Sequence, residues 1–214
     1  EEKPGIRWID TVGKTIRPYT GSAYNTEEAK AVVEELKRLV NVGYQGSIGV
    51  TTPFRRQVEE IRGILEKQEN KALYERLCIK HEFVASTVHT FQGDERDIMI
   101  FSPVVSNGTP DKTLGFLEST GNLFNVAITR ARAVLVVVGN HQYCSESSVS
   151  YLKKFAEYYT KLSTGTHEKQ SAYVVVPDSR EYPWVDNPEQ VSDWERFFYS
   201  ALYDAGVQTI PQYP

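Results

Sequence analysis

The chain alternates between apolar residues at helical spacing and short segments rich in apolar residues. Residues 25–41 predict a helix, which Asn25 and Glu28 open with the pattern of a capping box. The apolar face of this helix consists of Ala29, Val32, Val33, Leu36, Leu39 and Val40. Strands are predicted over 6–10, 47–51, 83–88, 97–101 and 133–139. The last two are apolar on both faces, which is typical of central strands in a parallel sheet.

The segments between these strands predict further helices and one long loop. One helix is predicted to begin with Thr52 as N-cap and Pro53 in the first helical position. Its inward residues are Phe54, Val58, Ile61 and Leu65. Residues 105–120 predict a loop, and helices are predicted over 122–132 and 148–162. The alternation of strands and helices predicts an α/β domain with a mainly parallel sheet over residues 1–162.

The composition changes after this domain. Residues 163–190 are rich in Ser, Thr, Gly and Pro and predict a connector, with a short strand over 172–176. Residues 191–206 predict an amphipathic helix, followed by a strand over 207–210. The apolar face of that helix consists of Val191, Trp194, Phe198, Ala201, Leu202 and Ala205. The final helix and strand do not make up a complete domain, and the first residues resemble the middle of a polypeptide rather than a natural start. We therefore expect the chain to be a piece of a longer polypeptide.

Charge, cysteine content and hydropathy limit the possible partners and the cellular compartment of the chain. The 24 basic and 28 acidic residues give a net charge of −4, so any nucleic acid must be bound by a local groove rather than by a general positive field. Two cysteines in 214 residues predict no disulfide framework and indicate a reducing, cytoplasmic compartment. The sequence has no apolar run of membrane-spanning length, so no membrane association is expected.

Three polar segments are candidates for chemistry, and we expect each at the carboxyl edge of the sheet, where ligands bind in such folds. The segment 51–57 offers two hydroxyls and a helix N-terminus to an anion. The segment 87–95 carries more hydrogen-bonding groups than a simple connection needs. In the helix 122–132, Arg130 lies in line with the inward-facing apolar residues, where its guanidinium could stabilise negative charge on a phosphoryl group. Arg132 lies on another face and is expected to neutralise the helix C-terminus.

Other catalytic patterns are missing from the sequence. It has no G-x-x-x-x-G-K-[ST] segment, so the chain alone is not expected to hold the β and γ phosphates of a nucleotide. No serine or cysteine nucleophile pattern is readable. His141 and Cys144 have no second pair at zinc-ligand spacing, and we therefore predict no metal site.

Taken together, these segments resemble the second RecA-like domain of superfamily 1 helicases of the nonsense-mediated-decay type, a three-layer α/β fold. Residues 48–57 are similar to motif IV, residues 86–97 to motif V and residues 124–132 to motif VI. Residues 24–29 resemble the entry into the first helix of that domain. The resemblance covers residues 5–142.

The resemblance implies an ATP-dependent motor. It implies that Arg130 reaches the γ-phosphate as an arginine finger, and that Gln92, Gly93 and Glu95 lie at the nucleotide, with Glu95 toward the ribose. It also implies a single-stranded nucleic acid, DNA or RNA, as partner. The residues that correspond to nucleic-acid contacts are Thr52, Ser86, Thr87 and His89. The phosphate loop and the Mg-binding carboxylates would belong to a first RecA-like domain that precedes Glu1 in the same polypeptide.

The C-terminal residues resemble a second family, but the resemblance is weaker. Residues 191–214 are similar to the start of very-short-patch-repair-like endonucleases, with Glu195 matching a candidate site residue. The metal-binding residues of such a nuclease would follow Pro214, and a plain amphipathic helix is the alternative. Three functions therefore stay open: a helicase or translocase motor, a helicase–nuclease fusion, and a non-catalytic nucleic-acid-binding module. The absence of G-x-G-x-x-G disfavours a fourth, a Rossmann-like small-molecule enzyme.

Overall fold

The computed structural model describes residues 5–88, 91, 95–164 and 193–204. The chain forms two compact units, residues 1–163 and residues 164–214. The strands of the first unit are β1 (Gly5–Asp10), β2 (Ile48–Thr52), β3 (Val84–Thr87), β4 (Arg96–Phe101) and β5 (Ala131–Gly139). Its helices are α1 (Thr26–Asn41), α2 (Arg55–Leu65), α3 (Lys71–Lys80), α4 (Asp111–Ser119), α5 (Gly121–Thr129), α6 (His141–Glu146) and α7 (Ser150–Ser163), with a 3₁₀ turn at Gln68–Asn70.

The five strands form one parallel sheet in the order β1-β5-β4-β2-β3. Helices cover both faces of this sheet. The core on one face joins α1, α2 and α3 to the strands through residues such as Leu36, Ile61 and Leu77. The core on the other face joins α4, α5 and α7 through residues such as Leu117 and Phe124. The predicted three-layer α/β fold with a parallel sheet is therefore confirmed.

The helices differ from the prediction at several points. The predicted loop 105–120 contains the helix α4, whose buried Thr113 and Leu117 lie one turn apart. The helix α3 was not predicted, because Leu77 is its one fully buried residue and the apolar pattern is weak. The helix α5 ends at Thr129 rather than at residue 132, because pairing with β4 draws the next residues into β5.

The start of α2 also differs. Thr52 is the last residue of β2, and α2 begins at Arg55 without a side-chain cap. At α1, the Asn25 side chain does cap the helix by accepting from the backbone N–H groups of Glu27 and Glu28 at 3.0 and 3.2 Å. The reciprocal bond of a capping box is not formed, because the Asn25 N–H donates instead to Gln57 Oε1 at 2.8 Å.

The second unit contains the helix α8 (Asp193–Asp204). Tyr199 is buried and Ala201 is exposed, so the predicted placement of Ala201 on the buried face of α8 is wrong. The predicted strands at 172–176 and 207–210, and the connector beyond residue 164, lie outside the described residues. None of the described helices is long and apolar enough to cross a bilayer.

Candidate nucleotide and nucleic-acid sites

Three of the hydroxyl residues predicted to meet nucleic acid lie at the carboxyl ends of two neighbouring strands. In the parallel pairing of β2 and β3, Thr52 stands opposite Thr87, and Ser86 is the residue before it. Thr52 is fully buried, and its Oγ1 accepts a hydrogen bond of 3.4 Å from the Phe54 N–H. Ser86 and Thr87 line an open cleft of about 760 Å³. The strand pairing brings the three residues together and gives two of them access to the cleft.

The described wall of this cleft has more positive than negative side chains. Its charged residues are Glu59, Arg17, Arg55 and Arg62. Arg62 donates a hydrogen bond of 2.5 Å to the Ala85 carbonyl, and Arg17 donates one of 3.1 Å to Thr113 Oγ1. These bonds fix two guanidinium groups on the cleft wall. The cleft is thus a local basic groove in a chain whose net charge is −4.

A single segment, residues 88–95, crosses β2 on its way from β3 to β4. Phe91 anchors this segment, because its buried ring packs over β2 at Gly49. A Cβ atom at Gly49 would lie 2.8 Å from the Phe91 ring and 2.5 Å from the Met99 sulfur, so the close approach requires glycine. The predicted site residues His89, Gln92 and Gly93 belong to this segment but lie outside the described residues.

The other end of the crossing segment reaches the amino edge of the sheet. Glu95 directly precedes β4, and Arg130 directly precedes β5. The two strands pair there, with a bond of 3.0 Å from the Arg96 N–H to the Arg130 carbonyl. Glu95 and Arg130 therefore lie together, but at the edge opposite to Ser86 and Thr87. The expectation that all three segments meet at the carboxyl edge is wrong for these two residues, because each of them directly precedes a strand of the parallel sheet.

Charged side chains form a loose set of ion pairs at this amino edge. Glu95 lies 3.9 Å from a nitrogen of Arg130 and 3.4 Å from a nitrogen of Arg132. Arg132 also lies 3.9 Å from Asp97. Hydrogen bonds of 2.8 Å from the Ser47 N–H and hydroxyl lower the pKa of Asp97. Glu95 is thus the carboxylate shared by the two arginines, and Asp97 is a stable second anion.

The two arginines differ in backbone position. Arg130 is the C-cap of α5, and its side chain donates back to the Val126 carbonyl at 3.3 Å. Arg132 is the second residue of β5 and has a side chain that is 57% exposed, against 23% for Arg130. The predicted contact of Arg132 with the helix C-terminus is therefore wrong, because Arg130 makes that contact. Arg130 is the less exposed of the two cations.

A buried polar network lies at the carboxyl edge and was not predicted from the sequence. The fully buried Glu28 accepts hydrogen bonds from the Ser102 hydroxyl at 2.7 Å and the Val104 N–H at 2.9 Å. The buried Gln57 amide donates to Ser102 Oγ at 3.0 Å and to the Asn25 carbonyl at 3.1 Å. The network joins the first residues of α1, the first turn of α2 and the end of β4. It therefore fixes the elements that surround the cleft.

Burial is the main influence on the pKa of Glu28. It raises the pKa of the carboxyl group from 4.5 to about 8, although the bonds from Ser102, Val104 and Asn25 oppose this shift. Val104 adopts a positive φ of 60°, which is strained for a β-branched residue. Its N–H donates to Glu28 and its carbonyl accepts from Thr15 at 3.0 Å, so hydrogen bonds on both sides hold the strained residue.

The sequence did contain a signal for this network. Glu28 precedes Val32 and Leu36 by one and two helical turns, so it lies on the buried face of α1. In the same way, Gln57 lies beside Val58 and one turn before Ile61 on the buried face of α2. Polar residues on otherwise apolar helical faces indicate buried hydrogen bonding.

No metal centre is evident in the described part of the chain, where no three His, Cys, Asp or Glu side chains come close enough to hold an ion. Glu195 lies in the first turn of α8, and its side chain is not among those described. A guanidinium such as that of Arg130 can donate to phosphate oxygens, and a carboxylate such as that of Glu95 can accept from hydroxyl groups. They offer no ligand set for Mg²⁺.

Comparisons with known proteins identify the family of the chain. The family described as "AAA domain" matches residues 1–142. The chain is 38% identical over 138 residues to "Helicase sen1" of Schizosaccharomyces pombe, and the match covers 63% of the chain and 8% of that protein. It is 34% identical over 165 residues to "DNA polymerase alpha-associated DNA helicase A" of Saccharomyces cerevisiae, covering 74% of the chain and 22% of that protein.

A third relative, "Regulator of nonsense transcripts 1 homolog" of Neurospora crassa, is 33% identical over 140 residues, which are 65% of the chain and 12% of that protein. The chain thus spans less than a quarter of the length of each of these relatives. The family match covers 142 of the 214 residues and includes both edges of the sheet. The chain therefore belongs to the AAA domain family, and its first unit is a motor domain of the superfamily 1 helicase type.

Proposed function

We propose that the chain is the second motor domain of an ATP-dependent DNA or RNA helicase or translocase. In this proposal it supplies the arginine finger, Arg130, and part of a groove for single-stranded nucleic acid. The observation that carries the proposal is the placement of a basic cleft, lined by Ser86 and Thr87, at the carboxyl edge of the sheet and of two arginines beside Glu95 at the amino edge. The connection from Thr87 to Glu95 then joins the two ligand sites.

At the amino edge, Arg130 would contact the γ-phosphate and Glu95 the ribose. ATP supplies the phosphoryl group that is transferred to water. Before ATP binds, Glu95 lies near both Arg130 and Arg132, at 3.9 and 3.4 Å. These distances are long for a charge-assisted hydrogen bond, so a phosphate can replace Glu95 as the partner of Arg130 at low cost. The remaining phosphate contacts and the Mg²⁺ ion are assigned to the first RecA-like domain of the same polypeptide.

At the carboxyl edge, the cleft lined by Ser86 and Thr87 would hold the backbone of a single strand. Hydroxyl groups and arginines are the usual donors to phosphate oxygens, and they do not read the bases. The basic excess in the cleft supports an anionic partner. Thr52, which is fully buried opposite Thr87 in the strand pair, would contribute to the same nucleic-acid site. His89, Gln92 and Gly93 keep their predicted roles within the same proposal.

The test compares this chain with the longer polypeptide that contains the first RecA-like domain. The 214-residue chain should bind a single-stranded oligonucleotide weakly and should not hydrolyse ATP. The longer polypeptide should hydrolyse ATP, and single-stranded nucleic acid should accelerate the reaction. Steady-state ATP turnover by the 214-residue chain would overturn the proposal. Nucleic-acid binding by the longer polypeptide without any ATP turnover would favour a non-catalytic binding module.

A further inference from the structure

The cleft contains an aromatic side chain whose exposure the core does not explain. Phe116 on α4 is 38% exposed and lines the cleft, whereas its neighbour Leu117 is buried. The centroid of the Phe116 ring lies 5.8 Å from that of the buried Phe54, with the ring planes inclined by 44°. Phe54 therefore supports one side of the Phe116 ring, and the exposed remainder is accessible from the cleft.

The helix that carries Phe116 is held at several points. Arg17 donates to Thr113 in its first turn at 3.1 Å. Near its end, the Tyr151 hydroxyl donates to the Leu117 carbonyl at 3.0 Å. The Glu118 carboxylate accepts two bonds of 2.7 Å from the N–H and hydroxyl of Ser150, which lower the pKa of Glu118. Phe116 is therefore positioned before any ligand arrives, which reduces the entropy lost on binding.

The chemistry beside Phe116 is that of a phosphate site. The same cleft is lined by the hydroxyls of Ser86 and Thr87 and by three arginines. An aromatic ring next to phosphate donors matches one unit of a single strand, because a nucleotide carries an anionic backbone and a flat base. An acidic peptide would use the arginines but has no flat group for the ring.

We propose that Phe116 is a base-stacking residue, which holds one base of the strand whose phosphates lie at Thr87. This inference rests on the proposed function and adds a contact to the base face. Stacking is tolerant of base identity, so Phe116 strengthens binding to single strands of any sequence. The expected contribution of one stacked base is about tenfold in affinity.

The experiment measures binding of the 214-residue chain to two single-stranded oligonucleotides of equal length. One carries bases throughout, and the other is fully abasic and keeps only the sugar–phosphate backbone. Phe116→Ala should weaken binding of the first about tenfold and leave binding of the second unchanged. Phe116→Trp should retain the affinity, and the indole fluorescence that it adds to that of the three native tryptophans, measured as the difference from the unsubstituted chain, should be quenched by the oligonucleotide with bases but not by the abasic one.

Two further variants make the result decisive. Phe116→Leu preserves apolar packing against Phe54 and should lose the same base-dependent affinity as Phe116→Ala, even if the alanine variant folds poorly. Tyr143→Ala removes an aromatic side chain of similar exposure, 40%, which does not line the cleft, and should change nothing. Equal affinity of Phe116→Leu and the unsubstituted chain for the oligonucleotide with bases would overturn the stacking role alone. If the unsubstituted chain binds neither oligonucleotide, both the inference and the proposed function fail.

Discussion

The two edges of the sheet are built in different ways. At the carboxyl edge, buried side chains of Glu28, Gln57 and Ser102 hold the elements around the cleft with bonds of 2.7 to 3.1 Å. At the amino edge, the exposed Glu95 and Arg132 pair at 3.4 Å, and the contacts of Glu95 with Arg130 and of Arg132 with Asp97 are 3.9 Å. Buried bonds are costly to leave unmade, whereas exposed ion pairs contribute little to stability.

This difference matches what each edge would have to do in a motor. A groove that follows a nucleic-acid backbone benefits from a fixed shape. Groups that meet ATP only during part of a cycle must exchange partners easily. The crossing segment joins the two regions, because it leaves β3 at the cleft and reaches β4 at Glu95. The following substitutions test this comparison, beginning with the largest effect.

Arg130→Ala should have the largest effect on activity. In the longer polypeptide it should slow ATP hydrolysis by about 10³-fold or more while ATP binding remains, because an arginine finger acts mainly on the transition state. Single-turnover hydrolysis is the measurement. Arg132→Ala is the matched control on the same edge and should lower the rate far less. Similar losses from the two substitutions would show that the finger is misassigned.

Glu28→Ala should strongly destabilise the carboxyl edge. It leaves the Ser102 hydroxyl and the Val104 N–H without their buried acceptor, which costs roughly 2–4 kcal/mol. Urea unfolding of the 214-residue chain measures this loss. Glu27→Ala removes a neighbouring carboxylate that pairs only with the exposed Lys30 and should cost far less. Equal costs would contradict the importance of the buried network.

The raised pKa of Glu28 predicts a specific pH dependence. The folded chain holds the proton up to about pH 8, whereas the unfolded chain releases it near 4.5. Glu28 therefore contributes full stability below pH 4.5, and this contribution is lost as the pH rises to about 8. Glu28→Gln, which resembles the protonated acid, should remove that dependence. At pH 9 it should be more stable than the unsubstituted chain by roughly 5 kcal/mol, the free energy that corresponds to a pKa shift from 4.5 to about 8. Parallel stability curves from pH 5 to pH 9 would contradict this.

The smallest effect is expected at the cleft hydroxyls. Thr87→Val removes one donor to a phosphate and should weaken oligonucleotide binding about 3- to 10-fold, equally for all base sequences. Thr52→Val, which changes the buried residue directly across the strand pair, should weaken binding less. Fluorescence titration with two unrelated base sequences measures both. A loss that depends on the base sequence would contradict backbone binding.

Much of the fold could be predicted from the sequence, because strong periodicity identifies helices and strands that bury one whole face. All six apolar residues predicted for α1 are buried. The prediction was wrong where tertiary contacts decide. Pairing with Arg96 draws Ala131 into β5, and no local pattern reveals that pairing. The helix α4 was missed because Pro110 and Gly115 are typical of loops.

The site could be predicted only in part. The sequence and its resemblance indicated Glu95, Arg130, Ser86 and Thr87, and the structure places them as two pairs. The two pairs lie on opposite edges because the strands are parallel: Ser86 and Thr87 end β3, whereas Glu95 and Arg130 directly precede β4 and β5. The expectation of a shared carboxyl edge treated each polar segment as one unit and did not separate the residues that follow a strand from those that precede the next one. Phe116 was hidden in a segment predicted to be a loop.

The central claim is that the two ligands occupy opposite edges of the sheet. NMR chemical-shift mapping of the 214-residue chain tests it directly, because that method detects weak binding residue by residue. A single-stranded oligonucleotide should shift the amide signals of Ser86, Thr87 and Arg55, and ATP should shift those of Glu95, Arg130 and Arg132. Oligonucleotide shifts centred on the amino edge, or the same set of shifts with both ligands, would contradict the account.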